Sequence, residues 1–152
     1  MPGIDVSVRR VINAPRDLIA DFTANPDNAP VWSSNIRAVN WHSERPAKIG
    51  SKMEFETIFL GRKLSHIFEI IDLVPGQSMH MRSTDTTLPL ETSYEWSDAP
   101  AGCEMTVCNR GQPDGFAKVA APIMARAMRR SANRDLGNLA RLTEAMFGPF
   151  TS

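Results

Sequence analysis

Past residue 115 the apolar residues of this chain stop alternating in twos and begin to recur every three to four. From Phe116 to Met146 a helical wheel gathers Met124, Met128, Ala132, Leu136, Leu139, Leu142 and Met146 on one side. Arg126, Arg130, Arg134 and Arg141 fall opposite. The pattern predicts one long amphipathic helix, started or kinked near Pro122, of roughly 35–45 Å at 1.5 Å per residue. A helix that long with a single apolar stripe must be covered along its length, and the preceding residues have to supply the cover.

They read as strands. Residues 4–12, "IDVSVRRVI", set Ile4, Val6 and Val8 against Asp5, Ser7 and Arg9. "NAPRDLIADF" then opens a short helix with Asn13 as the expected N-cap and Pro15 in its first turn. "NPDNAPVWSS" holds a second helical turn ending near Trp32. Six further strands follow: "IRAVNWH", "SKMEFETIF", the segment after Gly61, "SMHMRST", "LETSYEWS" and "CEMTVCN". The turn signals between them, among them Gly61 and Pro75-Gly76, fall at hairpin spacing, so the sheet is expected to be antiparallel. The economical packing is α+β: a curved seven-stranded antiparallel sheet wrapped round the long C-terminal helix, with two short helices between strands 1 and 2. One such domain accounts for residues 1–152.

Charge excludes some partners. The chain carries 17 basic and 17 acidic residues, so no overall field favours nucleic acid or an anionic membrane. The arginine row has the spacing of a solvated helix face and lacks the aromatic interleaving of a base-stacking surface. His42, His66 and His80 have no ligand spacing with one another or with cysteine, so no metal or other cofactor is expected. Cys103 and Cys108 lie an odd number of residues apart on one strand and point to opposite faces, which leaves both thiols free. With no leader before Ile4 and no long apolar run, the expectation is a cytoplasmic protein without stable membrane insertion.

Read in twos, "GRKLSHIFEII" carries an imidazole into the interior: Leu64, His66, Phe68 and Ile70 share one face. The neighbouring inward rows are Met53, Phe55, Thr57, Phe59; then Met79, Met81, Ser83; then Leu90, Thr92, Tyr94, Trp96; then Cys103, Met105, Val107, Asn109. Such rows serve equally as plain core, because methionine fills irregular gaps without any ligand, or as a pocket wall with a few polar tips. His66 has three uses open to it: a satisfied core group with Tyr94 or Thr92 as partner, a hydrogen bond to a ligand, or general acid/base work. Asp135 falls beside Leu139 and Met128 on the wheel, but the expectation is surface pairing with Arg134 or another arginine. Trp32 either closes one mouth of an interior space or wedges its helical turn against the sheet. The segment "STDTTLP" is placed to gate entry.

"VINAPRDLIADFTANPDNAPVWSSNI", "IGSKMEFETIFLGRKLSHIFEIIDLVPGQSM", "YEW", "GCEMTV" and "RDLGNLARL" occur in an order that resembles the START-related helix-grip, or SRPBCC, superfamily, in its polyketide cyclase/dehydrase-like branch. The resemblance implies a hydrophobic cavity between sheet and C-terminal helix that takes lipids, sterols, polyketides or similar molecules. Joined to the inward rows, it makes Trp32, Phe55, Thr57, Phe59, His66 and Phe68 candidate ligand-binding residues. Met81, Thr92, Tyr94, Trp96, Asn109, Met124 and Met128 complete the set. The function expected is carriage or binding of a hydrophobic small molecule. The alternative is a polyketide cyclase/aromatase- or dehydratase-like enzyme in which His66 and Tyr94 handle protons.

Overall fold

The computed structural model describes residues 3–59, 61–84, 89–112 and 116–148, with the backbone alone described at Phe59 and at 116–118. Strand β1 (Ile4–Ile12) leads into helix α1 (Arg16–Ala24), a 3-10 turn (Pro26–Asn28) and the short helix α2 (Ala29–Trp32). Six strands follow: β2 (Ile36–Trp41), β3 (Lys52–Phe59), β4 (Arg62–Val74), β5 (Ser78–Ser83), β6 (Leu90–Ala99) and β7 (Gly102–Gly111). Helix α3 (Phe116–Phe147) follows them.

The strands form one antiparallel sheet in the order β1-β7-β6-β5-β4-β3-β2. Five successive neighbours are joined in chain order, and β1 then pairs with β7 along its whole length, from Ile4 opposite Gly111 to Ile12 opposite Cys103. The two short helices therefore carry the chain from one edge strand to the other. The Pro75–Gly76 reversal closes with the Gln77 N–H donating to the Val74 carbonyl at 2.9 Å. This is the α+β helix-grip architecture.

Period-two alternation puts Val6, Met53, Ile70, Met79, Trp96, Cys103 and Met105 in the core. A bulge between Ile70 and Asp72 adds one residue to β4, which returns Leu73 to the core side and leaves Val74 exposed. Helix α3 supplies Ala121, Leu136, Leu139 and Ala140 from one stripe, and Arg126, Arg130, Arg134 and Arg141 lie exposed on the other side. Met146, assigned to the apolar side by the wheel, is exposed, because the stripe drifts round a helix of this length.

Two local expectations are corrected. Helix α3 starts at Phe116 and continues through Pro122, which sits inside its second turn, so proline does not begin it. Asn13 does not cap α1; Pro15 occupies that position, with no side-chain cap bond. The Asn13 N–H instead donates to Glu144 Oε2 at 2.9 Å, tying the end of β1 to the last turns of α3.

On the exposed side, Asp27 in the 3-10 turn accepts from Trp41 Nε1 at 2.7 Å and from Arg45 Nε at 2.8 Å. The Arg45 guanidinium lies 4.9 Å from the Trp41 ring centroid. The hydrogen bond from Arg45 holds the Asp27 carboxyl below the usual carboxylate range. The clasp fixes the turn that leads into α2, and hence the position of Trp32.

Candidate functional site

The concave face of the sheet and helix α3 do not close on each other completely. Between them lies a cavity of about 240 Å³, walled by β3 to β7, the start of β2, the end of α2 and one face of α3. On the helix, Met124, Met128, Ser131, Ala132 and Asp135 reach it; their spacing of four, three, one and three residues keeps them on a single face. Strand alternation supplies the opposite wall: Phe55 and Thr57 from β3, and Leu64, His66 and Phe68 from β4. Met81 comes from β5, and Leu90, Thr92 and Tyr94 from β6.

Eleven of the thirteen candidate residues line this space: Trp32, Phe55, Thr57, His66, Phe68, Met81, Thr92, Tyr94, Asn109, Met124 and Met128. The side chain of Phe59 lies outside the described residues, as do Leu60 and residues 85–88 of the segment expected to gate entry. Trp96 does not line the cavity. It is 3% exposed in the core beside Tyr94, with ring centroids 6.2 Å apart. Alternation puts both rings on the inward face; it does not say how far along the strand the hollow extends.

The walls are mostly apolar and well ordered by ring contacts. Phe55 meets Phe68 edge-on at 5.8 Å, and Trp32 meets Tyr94 in the same manner at 5.8 Å. Trp32 thus wedges α2 against the sheet while forming part of the cavity wall. His66 stands opposite Phe55 across the β3–β4 ladder, half-buried, with its ring at the cavity. Thr92 Oγ1 donates to Asn109 Oδ1 at 2.8 Å across the β6–β7 ladder, which orients the Asn109 amide on the wall.

The polar end is built round Asp135, and here the surface expectation is overturned. Asp135 is buried, 8% exposed, and is held by α2's trailing serines rather than by arginine. Ser33 Oγ donates to Oδ2 at 2.9 Å, while the Ser34 N–H and Ser34 Oγ both donate to Oδ1 at 3.0 Å. Next to it Asn35 Nδ2 donates to Ser131 Oγ at 2.8 Å. Arg134 is one residue away and points to solvent, because neighbouring positions on a helix diverge by about 100°. The signal that would have found the cluster is the pair Ser33-Ser34 directly after Trp32, three donors for one carboxylate on an apolar stripe.

Burial pushes the Tyr94 phenol well above its ordinary range, and the nearby Asp135 charge adds to the shift. Tyr94 is therefore a neutral hydroxyl at physiological pH. Burial also pushes the Cys103 thiol up to about 11. Both groups hold their protons longer folded than unfolded, so their contribution to stability is complete below about pH 9 and shrinks as pH rises, through the thiol's ordinary range first and the phenol's next. Thermal melts are expected to decline progressively above pH 9, and in Cys103→Ala the decline should begin about one pH unit later. A melting temperature flat to pH 11 would contradict the burial of both groups.

Among the described residues no group of three His, Cys, Asp or Glu side chains is placed to hold a metal ion. No described helix is long and apolar enough to cross a membrane. Both cysteines are free.

A family model described as "Polyketide cyclase / dehydrase and lipid transport" matches residues 3–144. No curated protein matches the chain. Among solved structures, TTHA0849 from Thermus thermophilus superposes with a TM-score of 0.80 at 12% identity, covering 93% of this chain and 98% of that one. Ginseng major latex-like protein 151 from Panax ginseng gives 0.74 at 14% identity, over 98% of this chain and 100% of that one. The di-domain ARO/CYC StfQ from the steffimycin biosynthetic pathway gives 0.78 at 11% identity, over 95% of this chain and 52% of that one. These identities speak for a shared fold, and the family match extends over nearly the whole sequence. The chain belongs to the polyketide cyclase / dehydrase and lipid transport family, within the SRPBCC helix-grip superfamily.

Proposed function

We propose that this chain, as a single helix-grip unit, binds a hydrophobic small molecule (a lipid, sterol, polyketide or similar compound) in the space between its sheet and α3, as a carrier or binding protein. The observation that carries the reading is a cavity of about 240 Å³ whose wall is apolar apart from a few placed polar groups. Removing roughly 200 Å² of ligand surface from water at about 25 cal/mol per Å² is worth about 5 kcal/mol, enough for useful affinity without strong polar contacts. Two free thiols suit a reducing compartment, and the cytoplasm is the proposed setting.

The test is binding of the uncharged dye Nile red, with native mass spectrometry of the purified protein for a retained apolar compound. Ala132 faces the hollow from α3, so Ala132→Phe should fill space rather than displace packed neighbours. This variant is expected to weaken dye binding at least about tenfold while melting within a few degrees of the parent. Failure of the parent to bind the dye or any member of a lipid, sterol and polyphenol panel would overturn the proposal.

One observation favours a second reading, a cyclase- or dehydratase-like enzyme: His66 and Tyr94 reach the same cavity. Tyr94, held neutral by burial, would orient a carbonyl, which leaves proton movement to His66. Turnover of a poly-β-ketone by the parent and its loss in His66→Gln, with Nile red binding retained, would decide for the enzyme.

A further inference from the structure

The cavity wall is asymmetric in charge. Among the described residues, no lysine or arginine lines it, and its one carboxylate is that of Asp135. A carboxylate offers about four acceptor positions. Three are filled, by Ser33 Oγ, the Ser34 N–H and Ser34 Oγ, and Asp135 still forms part of the cavity surface. Among the described residues, one acceptor position, on Oδ2, is left over.

We infer that the cavity selects uncharged apolar molecules that carry a hydrogen-bond donor, such as an alcohol or phenol, and rejects carboxylates and phosphates of the same shape. The inference rests on the binding role proposed above. An anion entering the hollow would leave water, meet the Asp135 carboxylate at short range, and find no lysine or arginine among the described wall residues to offset either cost. A hydroxyl would instead donate to the vacant lone pair while its hydrocarbon body lies against Phe55, Phe68 and Met81. Free fatty acids, which are anions at neutral pH, are poor guests on this reading, whereas long-chain alcohols, sterols and phenolic polycycles fit.

Three probes of one shape separate the contributions: 2-methylnaphthalene, 2-naphthalenemethanol and 2-naphthoate, titrated at pH 8. The alcohol is expected to bind at least as tightly as the hydrocarbon, and the carboxylate at least about tenfold more weakly than the alcohol. Asp135→Asn keeps the side chain's shape and removes its charge, and should narrow the gap between alcohol and carboxylate to within about threefold. Met124→Lys, on the half-buried helical wall, should raise carboxylate affinity selectively and serves if the asparagine variant does not fold. Equal binding of alcohol and carboxylate by the parent overturns the inference and leaves the binding role intact. Binding of none of the three, together with no Nile red binding, removes the role itself.

Discussion

Asp135→Ala is expected to lower the melting temperature by roughly 6–12 °C. The substitution strands Ser33 Oγ, Ser34 Oγ and the Ser34 N–H around a position that is 8% exposed. Removing one partner of a buried charged network costs about 3 kcal/mol, because donors left without an acceptor bear their full desolvation penalty. A domain of this size loses about 2–4 °C per kcal/mol. Ser34→Ala is the internal control: it deletes one hydroxyl, keeps the main-chain N–H bond, and should cost only about 1 kcal/mol. Circular dichroism melts at pH 7 read both. A shift below about 2 °C for Asp135→Ala, less than a single kcal/mol, would mean that the carboxylate does not join α2 to α3.

Gly102→Ala should destabilise by about 4 kcal/mol, the sum of overpacking against rigid atoms and an unfavourable backbone conformation. Gly102 opens β7 at φ 143°, and a Cβ built there would meet the carbonyl oxygens of Ala14 and Ile12 at 2.5 and 2.7 Å and the Ala14 nitrogen at 2.8 Å. These are main-chain atoms that have no side-chain freedom to retreat. Gly61, between β3 and β4, is a reference site free of crowding: its φ is 76°, in the milder left-handed region, and a Cβ there would meet nothing within 4 Å. Gly61→Ala is therefore expected to cost about 1 kcal/mol. Urea titrations of the two variants measure the difference directly. Comparable losses would contradict the large combined cost expected at Gly102.

How much of this was legible in the residues depends on range. The strands were readable because turn residues bound them and period-two rows run through them, and α3 because its stripe repeats over many turns. His66, Phe68 and Tyr94 were placed on the inner face by alternation alone. Asp135 was misjudged because its partners, Ser33 and Ser34, stand about a hundred residues earlier, and no local pattern connects a helical carboxylate to two serines that distant. Trp96 was assigned to the ligand because it shares Tyr94's row; the extent of a hollow is set by how sheet and helix curve past each other, which alternation does not encode. The Asn13 expectation failed as well. The helix begins two residues later than the local signal suggested, with Pro15 at the cap position, while the Asn13 N–H bonds Glu144 at the far end of the chain.

The seam between β1 and β7 governs the order in which this molecule can be assembled. Ile4 waits for Gly111, and α3 emerges from the ribosome only after that. The loop closed by that pairing is most of the polypeptide. The cavity needs both that long-range pairing and α3, so its walls are complete only when the two ends of the fold have met.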